Sequence, residues 1–223
     1  MIVITKKLIC AKCGETHKYK VLKLCHCDCS LLLDSRPCYG YQNTMEFWLQ
    51  ECDCGYVSVD ISIDNGASPD LLHSIEYFTC EGIEFESHLA ERFYHYYLIM
   101  KAEKKTLNAF YSLLRAAWCC DDARDEENAM TCRKQAISLA NKLLTEKVPQ
   151  KMEIYLIRLD LMRRSGQFEE VFKLYRKWHW KKQIRILVDF QLDRARKQDA
   201  RAYCLDDVFD PDPAPVLKIA SDE

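Results

Sequence analysis

The chain has 223 residues, of which 48% are hydrophobic and 30% charged, a composition that supports a packed core and excludes global disorder. Its formal net charge of -2 supplies no overall positive field for nucleic acid or for an anionic membrane. No apolar run approaches the ~20 residues that span a bilayer, and the start of the chain lacks the pattern of a secretory signal. We therefore expect a cytoplasmic protein without a membrane segment.

The 13 cysteines indicate metal binding more than disulfide formation. Thiols in a reducing compartment stay unpaired, so cysteines there serve as metal ligands or as small core residues. The number is also odd, which excludes complete pairing within one chain. Eight of the cysteines lie in the first quarter of the sequence: Cys10, Cys13, Cys25, Cys27, Cys29, Cys38, Cys52 and Cys54.

Residues 1–64 are predicted to form a small β-rich module. Four segments with β propensity are separated by turn-forming sequence, and they cover residues 1–5, 18–24, 45–50 and 56–63. A connector at residues 65–84 follows. In it, Ser68 is expected to cap a helix whose first position is Pro69.

Residues 85–205 show the period of helices. Apolar side chains recur every three or four positions in several stripes, the first of which contains Leu89, Phe93, Tyr96, Tyr97 and Met100. Pro149 interrupts the pattern, and Gly166 marks a tight turn between two helices. The proline-rich end, residues 206–223, is predicted to be a flexible tail.

The sequences of two helical stretches can be aligned with each other, which predicts stacked helical hairpins. The turn at residues 163–171 resembles that of a tetratricopeptide repeat, whereas the copy before Ala129 lacks the glycine. An irregular helical bundle is the alternative, because periodicity alone does not separate the two. The aligned pairs are Ala129 with Val171, Leu113 with Tyr155, Ala117 with Leu159, Cys120 with Met162, and Ala136 with Trp178.

Two short motifs predict one closed metal site. Each is a pair of cysteines followed by glycine, which allows the positive φ that closes a knuckle of backbone around a sulfur ligand. The first pair is separated by two residues and the second by one. Two knuckles joined by antiparallel strands would form the four-thiolate shell of a zinc ribbon, which leaves no position open for catalysis. The predicted ligands of this structural Zn2+ are Cys10, Cys13, Cys52 and Cys54.

A second group of cysteines competes with the second knuckle. Cys25, Cys27 and Cys29 alternate along the chain, so an extended backbone would place them on one face. With Cys38 they could form a second site or complete the first. Four thiolates also accept iron, so the choice between zinc and iron stays open. The other cysteines are interpreted as residues of helix cores or of the surface: Cys80, Cys119, Cys120, Cys132 and Cys204.

The first knuckle, with the sequence CAKCG at residues 10–14, and the CGY sequence at residues 54–56 resemble a known pairing. The arrangement is similar to uncharacterised bacterial proteins grouped as domain of unknown function 2225, which combine a CxxCG knuckle, a CxxCGY-type knuckle and tetratricopeptide-like helices. The likeness runs from the first knuckle to the helix that ends near Lys197, and the shorter second knuckle departs from the family pattern. The resemblance implies a zinc site and a helical scaffold, but it implies no catalytic activity.

No arrangement of residues indicates an enzyme. His88 and His95 lie seven apart on one predicted helix, but no HExxH pair accompanies them. A glycine-rich phosphate loop and a GxSxG elbow are absent, and the first CxxC motif lacks the βαβ context of a thioredoxin. We therefore predict a protein without catalytic activity.

These features predict an α+β, mostly α protein in which a zinc-ribbon-like module precedes tetratricopeptide-like hairpins. The leading hypothesis is an interaction scaffold whose helical surface binds a protein or peptide partner. One alternative is a nucleic-acid-binding regulatory protein, since the basic and aromatic stretch at residues 173–185 could contact phosphates and bases. Another is a thiol or metal sensor that uses Cys25, Cys27 and Cys29. The partner and the oligomeric state stay open.

Overall fold

The computed structural model describes residues 2–24, 29–38, 42–176 and 181–209. With 55% of residues in helices and 13% in strands, the protein is mostly helical with a small strand component, which confirms the predicted class at this level. Within those ranges, none of the helices combines the length and the apolar composition that crossing a lipid bilayer requires.

The elements follow one another along the chain as strands, short helices and then long helices. The strands are β1 (Ile2–Ile9), β2 (Thr16–Leu24), β3 (Gln50–Glu51) and β4 (Val57–Ser58). The short helices are α1 (Gln42–Met45), α2 (Pro69–Leu72), α3 (Ile75–Phe78), a 3-10 turn (Cys80–Gly82) and, near the end, α10 (Leu205–Phe209). The longer helices are α4 (His88–Ala102), α5 (Thr106–Asp122), α6 (Glu126–Thr145), α7 (Lys151–Arg164), α8 (Phe168–Tyr175) and α9 (Lys182–Arg196).

The two pairs of strands are antiparallel hairpins, and each hairpin loop carries one of the predicted knuckles. In the first, β1 pairs with β2 from Ile2 opposite Leu24 to Ile9 opposite Thr16. The second, between β3 and β4, is only two residue pairs long. Both hairpins thus bring a pair of cysteines to a tight turn between strands.

The prediction of a strand at residues 45–50 is wrong. Helix α1 ends at Met45, and the Trp48 N–H donates to the Met45 carbonyl at 3.1 Å. Of the residues 45–50, only Gln50 belongs to a strand, β3. Met45 and Leu49 are both buried. Their separation of four residues is a helical spacing, which the β propensity of the intervening aromatic residues obscures.

The predicted start of α2 is confirmed. The Ser68 hydroxyl accepts a hydrogen bond from the Leu71 N–H at 3.1 Å, and Pro69 occupies the first helical position. This satisfies one of the N–H groups that a helix leaves without an internal partner, and proline has none to lose at that position.

Helices α4 to α9 each pack against the next helix along the chain, and α9 also packs against α7. Three-residue turns join α4 to α5, α5 to α6 and α7 to α8, so these neighbours double back on each other. One residue of each turn has a positive φ: Lys104, Arg124 and Gly166. Each turn is closed by a hydrogen bond of 2.9 Å to a carbonyl five residues earlier, from Lys105 to Met100, Asp125 to Cys120 and Gln167 to Met162.

This repeated turn geometry is the Schellman motif, and it confirms the predicted role of Gly166. Arg124 adopts the same conformation in the copy that lacks glycine. Most of the aligned positions are buried in both copies, namely Ala129 with Val171, Ala117 with Leu159 and Cys120 with Met162. Trp178 lies outside the described residues. Stacked helical hairpins agree with these observations, while the tetratricopeptide-like classification stays a prediction.

Part of the segment predicted as a flexible tail is helical. Residues 205–209 form α10, and Val208 within it is buried. The Leu205 N–H donates to the Leu31 carbonyl at 2.8 Å, which attaches this end of the chain to its beginning. Residues 210–223 lie outside the described part of the chain.

One hydrophobic core runs from the β hairpins into the helices. It contains Tyr56 and Ile61 from the first part of the chain and Phe93 from α4, all fully buried. The predicted boundaries near residues 64 and 84 therefore do not coincide with a gap in the core. The division of the chain into domains stays a prediction.

A buried ionic network fixes the segment around Asp34 to helices α5 and α7. Asp34 accepts hydrogen bonds from Trp118 Nε1 at 2.9 Å and from an Arg164 Nη at 3.1 Å. The other Arg164 Nη donates to Asp121 at 2.8 Å, and Arg36 also pairs with Asp121. Burial raises the pKa of Asp34, and the charge of Arg164 opposes that rise. A charge buried in this way is tolerated only because it is paired.

We predict that Asp34→Asn lowers the free energy of unfolding by about 3 kcal/mol, because Arg164 then keeps its buried charge with one partner fewer. The measurement is the urea midpoint followed by circular dichroism. The matched control is Asp189→Asn, since Asp189 forms an exposed pair with Arg185 and should contribute less than about 0.5 kcal/mol. Equal midpoints for the two variants would show that the network does not hold this segment.

A candidate metal centre of four cysteines

The loop between β1 and β2 has the backbone geometry of a metal-binding knuckle. The Cys10 N–H donates to the Glu15 carbonyl at 2.8 Å, and the Gly14 N–H donates to the Cys10 carbonyl at 3.0 Å. Gly14 has a φ of 78°, which favours glycine. The Lys12 N–H lies 3.4 Å from the Cys10 Sγ and donates to it. This N–H to sulfur contact stabilises a thiolate at the first ligand position.

The loop between β3 and β4 is built in the same way. The Cys52 N–H donates to the Tyr56 carbonyl at 2.9 Å, and the Gly55 N–H donates to the Cys52 carbonyl at 2.8 Å. Gly55 has a φ of 83°. The single residue between Cys52 and Cys54 therefore does not prevent the loop from closing as a knuckle.

Contacts between the two hairpins hold the loops beside each other. The Ala11 N–H donates to the Ile61 carbonyl at 3.0 Å. The Lys12 ammonium pairs with Asp64 and lies 5.7 Å from the centre of the buried Tyr56 ring. The first knuckle is thus attached, through its backbone and the Lys12 side chain, to the second hairpin and to residues 59–64 that follow it.

The structure brings the four predicted cysteines into one cluster. Cys10 Sγ lies 3.8 Å from Cys54 Sγ, Cys13 Sγ lies 3.5 Å from Cys52 Sγ, and all four sulfur atoms lie within 4.8 Å of one another. Sulfurs held at ~2.3 Å around one tetrahedral ion are separated by ~3.8 Å. A disulfide would need ~2.0 Å. The spacing therefore fits four ligands of a single ion.

The surroundings shift the pKa values of the Cys10, Cys52 and Cys54 thiols in different directions. Burial disfavours the thiolate of Cys10, but the backbone N–H groups of Cys13 and Lys12 outweigh it and hold the pKa of that thiol below its ordinary value. Burial raises the pKa of Cys52 and of Cys54. A cation at the centre of the cluster would lower the pKa of these two thiols, because it stabilises thiolates directly.

The competing group of cysteines does not belong to this cluster as far as it is described. Cys25 and Cys27 lie outside the described residues. Cys29 and Cys38 take part in no group of three or more potential ligands in the described ranges. The Cys38 thiol instead contacts that of Cys204, and burial together with this neighbour raises the pKa of Cys38 to about 12.

Two polar contacts connect the second knuckle to the helices that follow. The Tyr77 hydroxyl, at the end of α3, donates to the Gly55 carbonyl at 2.6 Å. Arg92 on α4 donates from Nε to Glu51 of β3 at 3.1 Å. Because Tyr77 is almost completely buried, this hydrogen bond fixes the depth at which the knuckle sits against the helices.

A cleft of about 1280 Å³ lies between the second knuckle and helices α2 to α4. Cys52 and Cys54 belong to its lining, together with Lys18 and Lys20 of β2 and Arg92 of α4. Acidic residues line it as well, so the cleft carries mixed charge. The cysteine cluster therefore borders this cleft.

Sequence reasoning missed a second group of potential ligands in the wall of this cleft. Cys80, Glu91 and His95 place one ligand atom each within 4.8 Å of the others. Cys80 is buried, which is one of the two placements expected for it, but its contact with His95 was not expected. The spacing of four residues between Glu91 and His95, which places both on one helical face, is the signal that could have indicated the site.

Comparisons with known proteins return no relatives of this chain. No family model matches it, no curated protein matches it, and no solved structure matches it. The resemblance to the family of domain of unknown function 2225 therefore stays a prediction from the sequence.

We predict that Tyr77→Phe lowers the free energy of unfolding by about 1–2 kcal/mol, because the Gly55 carbonyl loses its partner in a half-buried position. Hydrogen–deuterium exchange should accelerate at residues 52–56 and stay unchanged in the α6 segment. The control is Tyr111→Phe, which removes an exposed hydrogen bond to Glu153. Unchanged exchange of the knuckle in Tyr77→Phe would contradict the proposed anchoring.

Proposed function

We propose that this protein is a non-enzymatic interaction scaffold whose first part is held by a structural Zn2+ bound to Cys10, Cys13, Cys52 and Cys54. The observation that carries the proposal is the close spacing of the four sulfur atoms, which fits tetrahedral coordination of one ion. Zinc is the natural occupant of a closed shell of four thiolates. Such a shell offers no open coordination position, which supports a structural role.

The energetics of the first part of the chain support the same role. β3 and β4 have two residues each, and a hairpin of this size is not stable alone. Structural zinc contributes ~10 kcal/mol or more of binding free energy, which becomes folding free energy where no site exists in the unfolded chain. The ion would therefore fix the second knuckle, which forms part of the wall of the cleft, to the first.

We expect Cys10→Ser and Cys52→Ser each to lose one zinc per chain relative to the wild type, measured by mass spectrometry of metals in the purified protein. Both variants should also show faster proteolysis within residues 1–64, since the loops lose their common ion. Iron in place of zinc in the wild type would contradict the identity of the ion.

The control for this experiment is Cys25→Ser, which tests the competing ligand set directly. It should retain the zinc of the wild type, because Cys52 and Cys54 complete the shell. Loss of zinc in Cys25→Ser with retention in Cys52→Ser would overturn the ligand assignment. It would not contradict the helical fold.

For the partner, we propose a protein or peptide segment that binds in the cleft between the zinc knuckle and α4. Support comes from two apolar side chains of α3, the short helix that borders this opening. The exposed fractions of Ile75 and Phe78, 77% and 81%, are the largest among the exposed apolar residues described. Phe78 also belongs to the lining of the cleft. Exposed aromatic anchors beside a concave surface are typical of binding sites for proteins.

A photo-reactive amino acid at position 78 tests this surface in living cells. We expect discrete cross-linked protein products from position 78, identified by mass spectrometry, and their loss when Cys10→Ser is combined with the probe. The matched control places the same probe at Met152, which is exposed on α7 away from the cleft. The same products from both positions would contradict the proposed surface.

The two alternatives receive no specific support from the described residues. The basic and aromatic stretch that suggested nucleic-acid binding is described only in part, since residues 177–180 lie outside. The same holds for the proposed thiol sensor, of which only Cys29 is described. Both stay predictions.

A further inference from the structure

Three side chains converge on one point beside the cleft, and two of them line it. Cys80 Sγ lies 3.4 Å from His95 Nε2, and a Glu91 carboxylate oxygen completes a group whose ligand atoms are all within 4.8 Å of each other. A sulfur at ~2.3 Å and an imidazole nitrogen at ~2.0 Å from one tetrahedral ion are separated by ~3.5 Å. The observed separation agrees with that value.

The backbone conformation that places Cys80 here is energetically unfavourable. Cys80 and Glu81 have φ values of 49° and 56°, in the left-handed region that residues other than glycine avoid. The Glu81 carboxylate compensates by accepting hydrogen bonds from the Tyr94 hydroxyl at 2.9 Å and from Lys101 at 2.7 Å. The turn is thereby fixed to α4, with the Cys80 thiol directed at His95.

A fourth donor atom is present in the backbone. The Tyr77 carbonyl oxygen lies 3.1 Å from His95 Nε2 and accepts a hydrogen bond from its N–H group. The Tyr77 ring also stacks on the His95 ring, with centroids 4.6 Å apart, which fixes the plane of the imidazole. When an ion replaces the Nε2 proton, the nitrogen lone pair and the carbonyl oxygen face the same point.

The charges of the group suit a divalent ion. One thiolate, one carboxylate and a neutral imidazole together neutralise a charge of +2, so no net charge is buried. Burial and the neighbouring Glu91 raise the pKa of Cys80 to about 12, and burial lowers the pKa of His95. A cation at this point would relieve the repulsion between the Glu91 carboxylate and a Cys80 thiolate.

We propose that Cys80, Glu91 and His95 bind a second divalent transition-metal ion of the zinc class. Binding releases the Cys80 thiol proton to solvent and moves the imidazole proton from Nε2 to Nδ1. A thiolate and an imidazole select zinc or cobalt over magnesium and calcium, which prefer oxygen ligands alone. Glu91 and His95 both line the cleft, so the ion enters from that side.

Metal content and Co2+ binding test the proposal on the full-length protein. After growth with added zinc and gel filtration, the wild type should contain two zinc ions per chain, whereas Glu91→Gln, His95→Gln and Cys80→Ala should each contain one. In protein whose second site is empty, added Co2+ should produce a thiolate-to-cobalt charge-transfer band, and the three variants should lack it. Glu91→Gln keeps the size of the side chain, so it separates loss of the ligand from loss of folding.

The matched controls change similar residues that do not belong to the group. His73→Gln and Glu46→Gln alter other side chains of the cleft lining, and Cys119→Ala alters another buried cysteine. All three should retain two ions. One zinc per wild-type chain and no charge-transfer band on addition of Co2+ would overturn the proposal. Loss of an ion in Cys10→Ser concerns the four-cysteine cluster alone, so the two sites are tested separately.

Discussion

The close approach of four sulfur atoms from two separate loops is the constraint on which the first part of this protein depends. Cys10 and Cys54 are 44 residues apart in sequence, yet their sulfur atoms are 3.8 Å apart. Each hairpin loop contributes two thiols and is too small to be stable alone. Thiolates at this distance repel one another unless a cation lies between them. The proposed ion would therefore determine how the two hairpins are arranged.

Buried polar contacts make the hairpins and the helices one body. The Tyr77 hydroxyl binds the Gly55 carbonyl of the second knuckle, and Asp34 binds Trp118 and Arg164 of the helices. Such contacts are costly to break one partner at a time, because the group left behind stays buried and unpaired. A structural change at the four-cysteine cluster would consequently alter the wall of the cleft.

Tyr77 has a central position in this arrangement. Its hydroxyl supports the knuckle of the four-cysteine cluster, whereas its carbonyl and ring contact His95 in the second group of potential ligands. The two proposed ions would therefore lie on either side of one buried residue and border the same cleft. With the exposed Phe78 directly after it, this short helix connects both proposed metal sites to the proposed partner surface.

The sequence by itself determined the local features: the helical class, the Ser68 cap, the turn at Gly166 and the two knuckles, because each depends on residues close together in the chain. It misjudged residues 45–50, where local β propensity competes with a helical spacing of buried residues. Only the tertiary structure placed Cys80 against His95 and Asp34 against Arg164. These contacts form between distant segments, and no periodicity or propensity encodes which buried side chains the packing of helices will bring together.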